Sequence, residues 1–253
     1  MPVPATPPTD LQLLEVFSSI QGEGLLVGCR QIFLRLAGCN LSCAYCDTPF
    51  APTPGCRVED APGSGNFRSL ANPVALDTMV SILHGWCREL PGVHHSLSLT
   101  GGEPLCQGTV LGAWLPALRE LLPTYLETNG TLPAALEPLL PHLDWIAMDL
   151  KLASLTGVPT PWDDHREFLR LAVRRNCFVK IVVGPETPAD EVAQGARLVA
   201  AVGGEIPLIL QPVTRPGEPL MGASQLLDLQ AVAARLHPPT RVIPQTHRTI
   251  GLL

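Results

Sequence analysis

The densest chemistry in the chain lies in Gly38-Cys39-Asn40-Leu41-Ser42-Cys43-Ala44-Tyr45-Cys46-Asp47-Thr48, where three cysteines follow a C-x3-C-x2-C spacing. Thiolates crowded on one loop suit a metal or an iron–sulfur cluster. A structural zinc site usually takes four protein ligands in C-x2-C pairs, and no second pair follows. Three cysteines would leave one iron of a four-iron cluster without a protein ligand, open for chemistry. Cysteines acting as small hydrophobes have no reason to cluster on a polar Asn/Ser/Asp/Thr loop.

Other polar residues fall where segments end. Ser18-Ser19-Ile20-Gln21-Gly22-Glu23-Gly24 combines glycines, which allow close approach to a ligand, with Gln21 and Glu23 as donor and acceptor for a polar substrate. Arg35 stands four residues before Cys39 and could clamp a carboxylate with its fork of donors. Thr100-Gly101-Gly102-Glu103-Pro104, Glu127-Thr128-Asn129-Gly130, Met148-Asp149-Leu150-Lys151 and Gln211-Pro212 each follow an extended run. Singly these are weak signals, since Gly-Gly and Asn-Gly are common turns and Asp149 with Lys151 could be a surface pair. His247, in the ending Gln245-Thr246-His247-Arg248, carries no weight alone.

Taken together, the cysteine spacing with Tyr45 before the third cysteine and the G-G-E-P element resembles the radical S-adenosylmethionine (SAM) enzymes. The wider set of S-x-Q-G-E-G, F-L-R-L-A-G-C-N, C-D-T, E-T-N-G and the Q-T-H-R ending resembles the 7-carboxy-7-deazaguanine synthases within that superfamily. Arg248 stands where that family has lysine, and Asp149-Leu150 where Ser-Pro is expected before Lys151. The resemblance implies a lyase of queuosine-type 7-deazapurine biosynthesis. A reduced cluster would cleave SAM, and the 5′-deoxyadenosyl radical would take hydrogen from C6 of 6-carboxy-5,6,7,8-tetrahydropterin. Ring contraction and loss of ammonia would then give 7-carboxy-7-deazaguanine.

By the same resemblance, Cys39, Cys43 and Cys46 hold a 4Fe-4S cluster and Thr48 a Mg²⁺ that bridges the substrate carboxylate. SAM is expected at Tyr45, Cys46, Asp47, Gly101, Gly102, Glu103, Asp149, Lys151 and Gln211. The substrate is expected at Ile20, Gln21, Gly22, Glu23 and Thr100, at His247 and Leu253, and at Arg35 and Glu127 as catalytic residues. Flavodoxin or ferredoxin would donate the electron, and the assembly would be a homodimer. A glycyl-radical activating enzyme, or another radical SAM enzyme, is the nearest rival. A non-enzymatic iron–sulfur or zinc module would explain the cysteines but not G-G-E-P or E-T-N-G.

These residues need elements to position them. Strands are expected at Leu11–Phe17, Gln31–Leu36, Ser96–Thr100, Thr124–Thr128, Trp145–Lys151, Cys177–Val183, Pro207–Val213 and Val242–Gln245. Helices are expected at Asp77–Leu90, Val110–Leu122, Leu132–Leu140, Asp163–Asn176, Pro188–Val202 and Ser224–Leu236. Such alternation implies parallel pairing and about six βα units with a closing strand, an α/β incomplete TIM-like barrel with ligands at the strand ends. Residues 1–253 read as one domain, with a loose tail at 1–10. The Pro/Gly/Ser/Asn-rich segment 49–73 reads as a surface insertion and candidate active-site lid, in which Cys56 is a loop thiol.

Composition narrows the class. The 253 residues are 46% hydrophobic and 16% charged, which suits a folded globular chain. A net charge of -6 with no basic run argues against nucleic acid as a partner. No uninterrupted apolar stretch of about 18 residues suggests a membrane span, and Met1–Asp10 lacks signal-peptide character. With eight cysteines, five of them scattered singly, a reducing, cytoplasmic setting is expected.

Overall fold

The computed structural model describes residues 9–46, 49–215 and 218–252. Its strands are β1 (Leu13–Ile20), β2 (Arg30–Leu36), β3 (Gly55–Glu59), β4 (Phe67–Ala71), β5 (Ser96–Gly101) and β6 (Thr124–Thr128). They continue with β7 (Trp145–Asp149), β8 (Asn176–Val183), β9 (Leu208–Pro212), the short β10 (Thr214–Arg215) and β11 (Glu218–Pro219), and β12 (Thr240–Val242). The main sheet runs β12-β9-β8-β7-β6-β5-β2-β1-β3-β4. From β2 to β12 every neighbouring pair is parallel, whereas β1 lies antiparallel to β2. The crossovers carry α1 (Leu76–Glu89), α2 (Gly108–Arg119), α3 (Pro133–Leu136), α4 (Ala153–Thr156), α5 (Trp162–Ala172), α6 (Ala189–Val202) and α7 (Ala223–Leu236), with α8 (Thr246–Ile250) last. The expected six βα units and closing strand of an incomplete barrel are therefore present. None of the helices is long and apolar enough to cross a membrane, among the described residues.

The longer helices form because each buries one stripe. In α5, His165, Phe168, Leu169 and Ala172 face inward at helical spacing, while Asp163 and Asp164 favour the first turn. In α1, Met79, Leu83 and Trp86 do the same. These stripes cover the outer face of the sheet in one large core. The inner face is layered. Tyr125, Ala147, Phe178 and Ile209 close with Leu26 into a second apolar cluster. Two residues further along the same four strands, on the same face, stand Glu127, Asp149, Lys180 and Gln211. Leu26 reaches the apolar layer from the segment 21–29, which is tied by Gln21 N–H to Cys29 O at 2.8 Å and Gly28 N–H to Gln21 O at 2.9 Å. Gly24 sits at φ 62° against the Phe178 ring, where a Cβ would lie 2.3 Å from Cζ.

Several expectations need correcting. Segment 49–73 is not a long loop. Its second part is the hairpin β3–β4, which adds two strands to the sheet edge beside β1. Two five-residue strands are too short to stand out, and their support is tertiary. Cys56 and Val58 are fully buried, the Arg57 guanidinium stacks 4.3 Å over Phe67, and Glu59 accepts N–H bonds from Ser18, Gly63 and Gly65. Cys56 is thus a core thiol, pushed up to about 12 by burial and by Glu15 nearby. β1 continues to Ile20 because Ser18, Ser19 and Ile20 pair with Ile32, Gln31 and Arg30. The helix expected at Leu132–Leu140 is one α-turn followed by a 3-10 stretch over Glu137–His142, as Pro138 and Pro141 remove donors. The last strand ends at Val242, so Gln245 lies beyond it.

Candidate active site

Above the inner charged layer, at the carboxyl ends of the strands, lies a cavity of about 1350 Å³. That is larger than the ~300–1,000 Å³ typical of one small-molecule pocket, so there is room for two ligands and a cluster together. Cys39, Cys43 and Cys46 all line it. Cys39 and Cys43 are partly buried, Cys46 is exposed, and none is in a disulfide. Burial holds the Cys39 and Cys43 thiols above their usual range, while Leu41 N–H donates to Cys39 Sγ at 3.4 Å. Partly buried thiols with an amide donor suit a cationic iron–sulfur cluster, which favours the thiolate and takes up such bonds. Among the described residues no three His, Cys, Asp or Glu are placed to share a single metal ion. The loop itself is pinned through Asn40, which donates to Thr131 Oγ1 and accepts from Asn129, both at 2.8 Å.

A network of charged and amide side chains forms the floor. Glu127 accepts from Gln21 (2.8 Å) and Ser98 (3.0 Å) on Oε1 and from Thr100 (3.0 Å) on Oε2. The Gln21 amide also donates to Gln31 and accepts the Glu23 N–H, each at 3.0 Å. Lys180 lies between two carboxylates, paired with Glu23 Oε2 and 3.1 Å from Asp149 Oδ1. Asp149 Oδ2 in turn accepts from Lys151 at 2.8 Å, and Lys151 donates to the Tyr45 hydroxyl at 3.0 Å. Burial alone would raise Glu23, but Lys180, Gln245 and His247 bring it down to about 2. Burial would likewise lower Lys180, yet Asp149 and Glu23 hold it well above its usual range. The Gln211 side-chain oxygen is buried, lines the cavity and has no protein partner, so it is ready to accept from a ligand.

Glu103 behaves differently. It is fully buried and accepts from Leu105 N–H (3.0 Å), Thr128 Oγ1 (2.9 Å) and Asn129 N–H (2.7 Å), with burial pushing it up to about 7 against these donors. It ties the G-G-E turn to the E-T-N-G turn. His165 ties the latter to Lys151, since Nδ1–H donates to Gly130 O at 3.0 Å and Nε2 accepts Lys151 N–H at 3.1 Å. Burial pushes His165 down to about 4, which keeps the imidazole neutral.

Residues 34–199 match the model of the radical SAM superfamily. A protein named 7-carboxy-7-deazaguanine synthase from Geobacter sulfurreducens is 51% identical over 244 residues, covering 96% of this chain and 98% of that one. The chain belongs to the 7-carboxy-7-deazaguanine synthase family. A second member of that name, from Methanothermobacter thermautotrophicus, is 35% identical over 262 residues, covering 95% and 97% of the two chains. The crystal structure of QueE from Escherichia coli shares the fold, with TM-score 0.58 and 20% identity over 93% of this chain and 94% of that one.

Most residues that the family resemblance singled out converge on the cavity. Ile20, Gln21, Gly22, Glu23, Arg35, Thr100, Glu127 and His247 line it, as do Tyr45, Cys46, Gly101, Gly102, Asp149, Lys151 and Gln211. Glu103 does not; its side chain is turned into the protein. Asp47, Thr48 and Leu253 lie outside the described residues, although Leu252 reaches the cavity wall. Arg35 stands 3.6 Å from Glu15 Oε2 and 5.5 Å over the Phe17 ring. Sequence reading missed Lys180, Ser98, His165 and Gln245. For Lys180 the signal was there: a lysine inside an otherwise apolar strand, in phase with Phe178.

Proposed function

We propose that the protein converts 6-carboxy-5,6,7,8-tetrahydropterin to 7-carboxy-7-deazaguanine with loss of ammonia, as the name of its full-length relative at 51% identity suggests. The observation that carries the reading is the meeting, in one cavity, of the three-thiol loop with Arg35, Glu127 and Gln21. Cys39, Cys43 and Cys46 would hold the cluster, and SAM would lie against Tyr45, Gly101, Gly102, Asp149, Lys151 and Gln211. When bound, the reduced cluster and SAM together supply the radical that begins the rearrangement.

The chain's own residues bind, orient and shield. Arg35 offers paired donors to the substrate carboxylate. Glu127, steadied by three donors, accepts N–H groups from the aminopyrimidinone ring. Tyr125, Phe178 and Leu26 exclude water from below. Thr48 is our candidate for a Mg²⁺ contact, Asp47 for SAM, and the Leu253 carboxylate for the substrate. We further take residues 1–253 as one domain working as a cytoplasmic homodimer, with flavodoxin or ferredoxin as electron donor.

Anaerobic turnover of the reconstituted, reduced protein with SAM, Mg²⁺ and the carboxytetrahydropterin, read by mass spectrometry, tests this. Carboxydeazaguanine is the expected product. SAM cleavage without a deazapurine would refute the substrate, and no cleavage by a protein with an intact, reduced cluster would refute the reaction class. Cys39→Ala, Cys43→Ala and Cys46→Ala should each abolish turnover.

A further inference from the structure

Lys180 belongs to none of the motifs, yet it is the most enclosed cation of the cavity. It projects from the middle of β8, and its ammonium is shared by Glu23 from the segment after β1 and Asp149 at the end of β7. Both oxygens of Glu23 are thereby engaged, because Gln245 Nε2 donates to Oε1 at 2.7 Å. A chain of side chains therefore crosses the floor: Tyr45, Lys151, Asp149, Lys180, Glu23 and Gln245. Its two lysines balance its two carboxylates. Resting on the function proposed above, we infer that Lys180 is a positioning residue that fixes the charge and orientation of Glu23, making the floor select substrates with an N–H donor edge.

The chemistry follows from what a buried carboxylate does without its cation. Removed from water, it takes up a proton and becomes a donor, which would oppose an aminopyrimidinone edge instead of accepting from it. Several groups set the charge of Glu23. Lys180 of β8 contacts it, His247 of α8 adds positive charge, and Gln245 donates from beyond β12. Asp149 of β7 and Glu127 of β6 act on Lys180, as does Lys151 with opposite sign. Tyr125, beneath the network, is neutral and held far above its usual range by burial. Lys180 is the cation in direct contact, so its removal leaves Glu23 governed by burial. A carboxylate with both oxygens tethered also cannot swing toward a ligand of the wrong shape. A substrate presenting two adjacent N–H groups then meets an acceptor already in place, as it does at Glu127.

The test uses anaerobic, cluster-loaded protein, with equilibrium binding of the carboxytetrahydropterin and of SAM measured separately from pH 6 to 8. The wild type should bind the pterin with a flat pH profile. Lys180→Met should weaken pterin binding by about tenfold or more, the scale of one charge-assisted hydrogen bond, and SAM binding by clearly less, because the expected SAM contact Asp149 keeps Lys151 on its other oxygen. Its pterin affinity should fall further toward low pH, as Glu23 protonates. Lys180→Arg should restore much of the affinity and flatten the profile. Adding Glu23→Gln to Lys180→Met should abolish the pH dependence. A flat profile with unchanged pterin affinity in Lys180→Met overturns the inference, and so does equal weakening of SAM. If the wild type cleaves SAM but does not bind the pterin, the substrate reading fails first, and the inference falls with it. Should Lys180→Met fail to fold, the Arg and Glu23→Gln variants carry the test. Pterin affinity unaltered in both overturns the inference.

Discussion

Substituting Gly102 by alanine tests whether the G-G-E turn is the seat of the cysteine loop. A Cβ at position 102 would lie 2.0 Å from Gly38 O, a backbone atom one residue before Cys39. Contacts below 3.0 Å are essentially never seen, so the two backbones must part by about 1 Å. That movement breaks the bond from Glu103 N–H to Gly38 O, now 2.8 Å. A buried donor left without a partner costs about 1–3 kcal/mol. The geometric consequence is larger, because metal–ligand distances tolerate only about 0.2 Å of error. Cys39 would be carried off by several times that amount. After identical anaerobic reconstitution, Gly102→Ala should hold well under half the wild-type iron and sulfide and cleave SAM correspondingly slowly. Gly85→Ala is the control, since a Cβ there meets nothing in α1, and it should be neutral or stabilise by about 0.5–1 kcal/mol. Wild-type iron content and SAM cleavage in Gly102→Ala would refute the reasoning.

Other expectations follow from the same geometry. Arg35→Ala should raise the pterin KM by about tenfold to a hundredfold, as expected for losing charged hydrogen bonds, with SAM affinity nearly unchanged; an unaltered KM would remove Arg35 from the substrate site. Glu103 and His165 should give opposite pH slopes in guanidinium unfolding. Glu103 is raised from 4.5 to about 7, so the folded state holds the extra proton and its contribution is lost as pH rises through that window. His165 is lowered from 6.5 to about 4, so its contribution is present above 6.5 and lost as pH falls toward 4. Each slope amounts to about 3 kcal/mol across its window and the two oppose each other where the windows overlap, so each variant is read against the wild type. His165→Gln should unmask stability falling with pH, and Glu103→Gln stability rising with it. Flat profiles in both variants would sink this account.

The sequence made the barrel legible because parallel strands buried on both faces read as apolar runs separated by helical stripes. The cavity was legible because its glycine and cysteine turns sit at strand ends, where chain direction alone sends them to one rim. What stayed hidden depends on partners distant in sequence. The hairpin β3–β4 is held by Glu59 reaching β1, and nothing local in Cys56–Arg57–Val58 announces an edge strand. Glu103 looks like a ligand contact, but only its three internal donors show that it braces the turns instead. Lys180 acquires meaning only beside Glu23, 157 residues away along the chain.

The apolar layer of Leu26, Tyr125, Phe178 and Ile209 also sets the electrical character of the floor above it. Tyr125, Phe178 and Ile209 stand two residues before Glu127, Lys180 and Gln211 on the same strands, so the charged groups rest on hydrocarbon and aromatic rings instead of water. On such a base charges attract one another more strongly than they would in solvent, and a polar ligand settling there meets partners whose places are already set.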